Sequence, residues 1–133
     1  MMRYSDDKSF TSADLQQLFV AVGWSSGQYP DKLVTAMANS HTVLSAWDGD
    51  TLVGLVNVLS DGVMTAYIHY LLVLPQYQGR GIGKTLISRV LEQYADYARK
   101  VLIAYDAEVG FYQHLGFVGH DDKTPMFVTH LTT

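Results

Sequence analysis

Between residues 41 and 74 three strand-like runs follow one another almost without interruption: "HTVLSAW", "TLVGLVNVLS" and "VMTAYIHYLLVL". Each is rich in β-branched and aromatic residues. The separators "DGD" and "DG" are hairpin turn signals. Strands joined this tightly pair antiparallel, because a parallel pair needs a long crossover. The third run ends at Pro75 and passes directly into a glycine-rich turn. A helix is predicted from there over 81–98, on the apolar stripe Ile82, Leu86, Val90, Leu91, Tyr94 and Ala98.

The flanks complete the pattern. Residues 11–23 read as a helix, with Leu15, Leu18, Phe19 and Val22 on one face, Thr11 as N-cap and Gly23 as the stop. A loop "WSSGQYP" follows, then a short helix over 31–39. After the long helix, "VLIAY" (101–105) reads as a short buried strand and "EVGFYQHLGF" (108–117) as a short helix ending at Gly116. "MFVTHL" (126–131) reads as a last strand, and Met2–Tyr4 as a short opening one. The fold class expected is mixed α/β, with helices flanking a largely antiparallel sheet, in a single domain over 1–133.

Composition narrows the function classes. The 133 residues suffice for one core. With no cysteine there is no disulfide, thiolate metal site or cysteine nucleophile, and no metal is expected. A formal net charge of −4 with no basic face argues against a nucleic-acid partner. No apolar run reaches the length that spans a bilayer, and "MMRYSDDKSF" does not read as a secretory signal. A cytoplasmic enzyme with no membrane partner is the expectation.

The glycine stretch "PQYQGRGIGKT" (75–85) nearly matches two phosphate motifs. A P-loop would need glycine where Gln78 stands. A dinucleotide fingerprint would need glycine where Lys84 stands. The physics outlasts the failed matches. A strand, a tight turn and a helix start gather unpaired N–H groups at one point, where the helix dipole adds positive potential. Gly79, Gly81 and Gly83 let an anion approach the backbone, and Arg80 and Lys84 add charge.

Read as Gln78-Gly79-Arg80-Gly81-Ile82-Gly83, the same stretch resembles the [QR]-x-x-G-x-[GA] signature of the GNAT superfamily of N-acetyltransferases. The lead-in "LLVLPQYQ" and the downstream "FYQHLGF" (111–117) resemble that family's other two marks, in the same order. The resemblance implies acetyl-CoA as donor, with its pyrophosphate on the N–H groups of residues 79–84. Thr85 closes the motif. The pantetheine arm would lie along Leu72, Val73 and Leu74, in a splay between the fourth and fifth strands.

Acetyl transfer to an amine needs a donor for the oxyanion and a proton for the leaving sulfur. By resemblance the backbone N–H of Val73 serves the first and Tyr112 the second. A phenol is protonated at neutral pH and can donate. Many relatives carry an acidic base in the third hairpin strand, where this chain has His69 and Tyr70. His69 is the candidate base, from its intrinsic pKa. The segment "AYDAEVGFY" lacks the pantetheine-binding asparagine of many relatives.

Trp24 and Tyr29 are the candidate acceptor wall, since aromatic faces stack on amine cations or apolar bodies. The acceptor class is a small-molecule or peptide amine. The alternative is a catalytically silent acyl-CoA-binding sensor of the same fold, which would not need Tyr112. A homodimer fits the resemblance, with "MFVTHL" as the candidate contact.

Overall fold

The computed structural model describes residues 2–133. One five-stranded sheet runs in the order β1 (Met2–Ser5), β2 (Thr42–Asp48), β3 (Thr51–Ser60), β4 (Thr65–Val73), β5 (Arg99–Leu102). The first three pairings are antiparallel and the β4–β5 pairing is parallel. This follows from the connections. β2, β3 and β4 are joined by the two predicted turns, where Gly49 and Gly62 take positive φ. β5 arrives only after the crossover helix α3 (Ile82–Gln93).

Helix α1 (Ser12–Ala21) starts where the sequence places it, with Thr11 Oγ1 accepting the Asp14 N–H at 3.1 Å. Such a cap contributes about 1 kcal/mol. Leu15, Leu18 and Phe19 form its buried stripe. Helix α2 (Pro30–Asn39) follows a 3₁₀ turn, Ser25–Gln28. Both α1 and α3 pack on the sheet, from opposite sides. Phe19 meets the Tyr70 ring edge-on at 5.0 Å. Ile82 and Leu86 close on Gly54, where an added Cβ would come within 3.0 Å of Ile82. Tyr70 pairs with Asn57 and Val73 with Gly54, so the two contacts fall on opposite faces of β3. β3 is covered on both faces, and every residue from Leu52 to Val58 is buried.

Three expectations need correction. The crossover helix stops at Gln93, short of Ala98. Tyr94 is buried to 1% exposure, and its hydroxyl bonds Thr42 Oγ1 at 2.6 Å and His41 Nδ1 at 2.5 Å. That anchor at the start of β2 ends the helix, and residues 94–98 turn the chain back into β5. The strand after it is not buried. β5 spans Arg99–Leu102 at the sheet's edge, leaving Val101 and Ile103 exposed.

The segment 126–131 forms no strand, and Met126, Phe127 and Val128 are exposed. The chain end is held elsewhere, on the 3₁₀ turn. Thr133 O accepts from Ser25 Oγ at 2.8 Å, Ser26 Oγ at 2.7 Å and the Ser26 N–H at 3.1 Å.

Candidate active site

The site opens where β4 and β5 part. Their pairing covers only Thr65–Ile68 against Arg99–Leu102, and β4 then runs on to Val73 alone on that side. Antiparallel pairing turns successive residues alternately toward and away from the neighbour. Leu74 donates its N–H to Val53 O at 2.8 Å, and Leu72 shares that orientation toward β3. The polar groups facing the gap are therefore those of Leu71 and Val73. Of the three residues expected along the pantetheine arm, only Val73 turns its backbone that way, and Leu71 takes the place of its neighbours. The Val73 carbonyl is already occupied, by Gln78 Nε2 at 3.0 Å. Gln78 thus ties the glycine turn to the strand end, and the Val73 N–H stays free toward the gap.

The turn itself is built for close approach. Gly79 (φ +79°) and Gly81 (φ +83°) lie in the left-handed region that favours glycine. Around both, an added Cβ would find nothing within 4 Å. Gly81 is the N-cap of α3 and has no side chain to satisfy the first-turn N–H groups of Ile82, Gly83 and Lys84. No acceptor among the described residues takes the N–H of Gly79, Arg80 or Gly81. The Thr85 hydroxyl turns back to Gly81 O at 2.9 Å, so its role is to brace the turn.

The two cations differ. Arg80 lies over the Tyr77 ring at 4.8 Å, and Tyr77 donates its hydroxyl to Asp48 at 2.5 Å. That bond holds the Asp48 carboxyl below its ordinary pKa. Lys84 lines a cleft of about 310 Å³ with Phe111, His114 and Leu115. The cleft joins the first turn of α3 to helix α4 (Val109–His114).

Tyr112 sits on α4 beside Phe111, which reaches the same turn; an added Cβ on Gly83 would lie 3.6 Å from the Phe111 ring. The Tyr112 ring packs edge-on against Phe111 and Phe117, at 5.1 and 5.8 Å. Burial, and secondarily the Glu108 carboxylate, push its phenol up to about 12. It is neutral at physiological pH, and its hydroxyl takes no partner among the described residues.

His69 marks an irregularity. Val58 pairs with Ile68 and Asn57 with Tyr70, so His69 is the extra residue of a β-bulge. The bulge sets His69 and Tyr70 side by side, with ring centroids 4.1 Å apart and planes 23° apart. Tyr67 stacks on His69 from further back at 5.4 Å. His69 is exposed at its rim, yet these rings strip water from it and lower its pKa, keeping the imidazole neutral at pH 7.

On the same face Trp24 stands 6.0 Å from Tyr70 and 6.3 Å from Tyr105, with Phe19 behind at 6.1 Å. Tyr29 does not join this wall. It packs against His130 and Lys32. Tyr70 and Tyr105, which complete the wall, carry no local signal in sequence. Asn57 did: a single amide inside the apolar run "TLVGLVNVLS" is out of place unless it has partners.

Among the described residues no helix is long and apolar enough to cross a membrane, and no cluster of three or more metal-ligating side chains occurs.

Comparison with known proteins supports one family. Residues 8–117 match the model of the acetyltransferase (GNAT) family. The chain is 32% identical over 115 residues to the uncharacterized N-acetyltransferase ycf52 of Gracilaria tenuistipitata var. liui, covering 82% of this chain and 63% of that protein. It is 34% identical over 117 residues to the histone acetyltransferase TAP1 of Glycine max, covering 78% of this chain and 50% of that one. The chain therefore spans between half and two thirds of these two relatives. Among solved structures, an acetyltransferase of the GNAT family from Streptococcus pneumoniae TIGR4 superposes with a TM-score of 0.83 at 28% identity, covering 98% of this chain and 99% of that one. A family model that takes in both signature segments and a structural match over almost every residue lead to the same assignment: the chain belongs to the GNAT family of acetyltransferases.

Proposed function

We propose that the chain transfers an acetyl group from acetyl-CoA to the primary amine of a small molecule or peptide, by direct attack of the amine. The observation that carries this reading is the continuity of two features. The unclaimed N–H groups of residues 79–84 end at Gln78, and Gln78 is bonded to Val73, whose own N–H faces the parted strands. A diphosphate and an extended amide-bearing arm need that sequence of donors. A Cβ at Gly79 or Gly81 would stand in open space, so the turn leaves its N–H groups accessible to an anion.

The residues divide the chemistry among them. The Val73 N–H donates to the oxyanion as the amine nitrogen bonds to the carbonyl carbon. The neutral His69 imidazole takes the proton the nitrogen then carries. Tyr112 donates a hydrogen bond to the sulfur as the C–S bond breaks. A phenol near 12 is a weaker acid than a thiol near roughly 8.5. Full transfer of its proton to sulfur is therefore uphill, and the proton that balances the thiolate is the one His69 takes from the nitrogen and then releases through solvent. Trp24, Tyr70 and Tyr105 offer aromatic faces to the acceptor.

The test is thermal and chemical together. Acetyl-CoA should raise the melting temperature and ATP should not. A panel of amines, amino acids and peptides should then release free CoA. A shift with ATP alone would overturn the reading. A shift with acetyl-CoA but no release with any acceptor would favour a silent acyl-CoA sensor.

A further inference from the structure

We infer that Asn57 is a positioning residue: its side-chain carbonyl holds open the bulge in β4, and so sets the strand edge that faces the thioester. This rests on the acetyl-CoA reading above. Asn57 is the ladder partner of Tyr70, the residue just beyond the bulge. The Tyr70 N–H donates to the Asn57 side chain, at 2.9 Å from Oδ1. The amide thus gives that N–H a side-chain acceptor at the point where the extra residue interrupts the register.

The other end of the amide agrees with this orientation, which the Tyr70 N–H already requires. Asn57 Nδ2 donates to Ser40 Oγ at 3.1 Å, and Ser40 Oγ donates onward to Ala36 O at 2.8 Å. Ser40 has spent its proton, so it can only accept from Asn57. Oδ1 is thereby left for Tyr70. Asn57 is 1% exposed and Ser40 2%, so both side chains are buried. The network ties the last turn of α2 to the bulge.

The consequence lies one residue on. Ahead of the bulge Ile68 pairs with Val58, and beyond it Leu71 pairs with Val56 and Val73 with Gly54. Without the extra residue the side chains from Tyr70 onward would change faces, and the N–H groups of Leu71 and Val73 would turn from the gap toward β3. An apolar side chain at 57 removes the acceptor that makes the bulged register tolerable.

Asn57→Leu keeps the side-chain shape without the polar atoms. It should raise the KM for acetyl-CoA by about tenfold, and leave the acceptor KM within about twofold. Hydrogen exchange at the Tyr70 amide should quicken in the unliganded protein. Asn57→Ser, one bond shorter, should do the same if the leucine variant does not fold. Ser40→Ala is the control. It removes only the far partner, so it should lower the melting temperature while keeping acetyl-CoA KM and Tyr70 exchange near wild type. Two results would overturn the inference: slow Tyr70 exchange in both Asn57 variants, or an equal rise in acetyl-CoA KM in Ser40→Ala. If wild type fails to bind acetyl-CoA, the functional reading falls, and exchange at Tyr70 alone still decides whether Asn57 holds the bulge.

Discussion

In the proposed function the glycine turn serves the donor and the aromatic wall the acceptor, and the two are made in opposite ways. The turn is contiguous: residues 78–85 supply the donors, the left-handed glycines and the brace from Thr85 to Gly81. The wall is assembled from four separate places. Phe19 comes from α1, Trp24 from the loop after it, Tyr70 from beyond the bulge and Tyr105 from the segment after β5. A contiguous site depends on backbone conformation, which short-range sequence controls. A wall of distant rings depends on how helix and sheet dock. Damage to the first should therefore be severe and confined to the donor, whereas damage to the second should be graded and confined to the acceptor.

The largest effect is expected at the turn. Gly81→Glu places a side chain on a residue with φ +83° and sets a carboxylate beside the anion's N–H groups. Acetyl-CoA affinity should fall by roughly 100-fold or more, by titration calorimetry. A near-normal affinity would show that the diphosphate does not sit there, and the contrast would collapse.

Next is Tyr112, which belongs to neither half. Tyr112→Phe keeps the ring contacts to Phe111 and Phe117 and removes only the hydroxyl. Turnover should drop by about 10- to 100-fold with both KM values unchanged, in steady-state kinetics. If turnover holds, the sulfur finds its hydrogen bond elsewhere.

The smallest effect belongs to the wall. Trp24→Ala should raise the acceptor KM by about three- to tenfold, the range expected for loss of one aromatic face, and leave that of acetyl-CoA alone. A matching rise for acetyl-CoA would mean that the wall supports the donor too, and the division made above would be wrong.

How much could be read beforehand follows the same division. The three hairpin strands, the caps of α1 and the glycine turn were legible because each is specified within a few residues. Helix α3 was overextended because its stop depends on Tyr94 reaching Thr42 and His41, about fifty positions earlier. "VLIAY" looked buried on hydropathy, but its place at the sheet edge leaves Val101 and Ile103 in water. "MFVTHL" has the composition of a strand and no edge bonds to complete it. Trp24 and Tyr29 stand apart because the four residues between them, in the 3₁₀ turn, direct the two rings to different neighbours.

The sequence alone determined the antiparallel hairpin series, the glycine turn and the presence of a phenol in "FYQHLGF", because these are properties of local backbone and side-chain chemistry. Tertiary structure decided which N–H groups of β4 face the gap, which aromatics form a wall, and why Asn57 sits in an apolar strand. Those depend on pairing register. One extra residue at His69 shifts the phase of everything after it, and only the partner strand reveals that it is there.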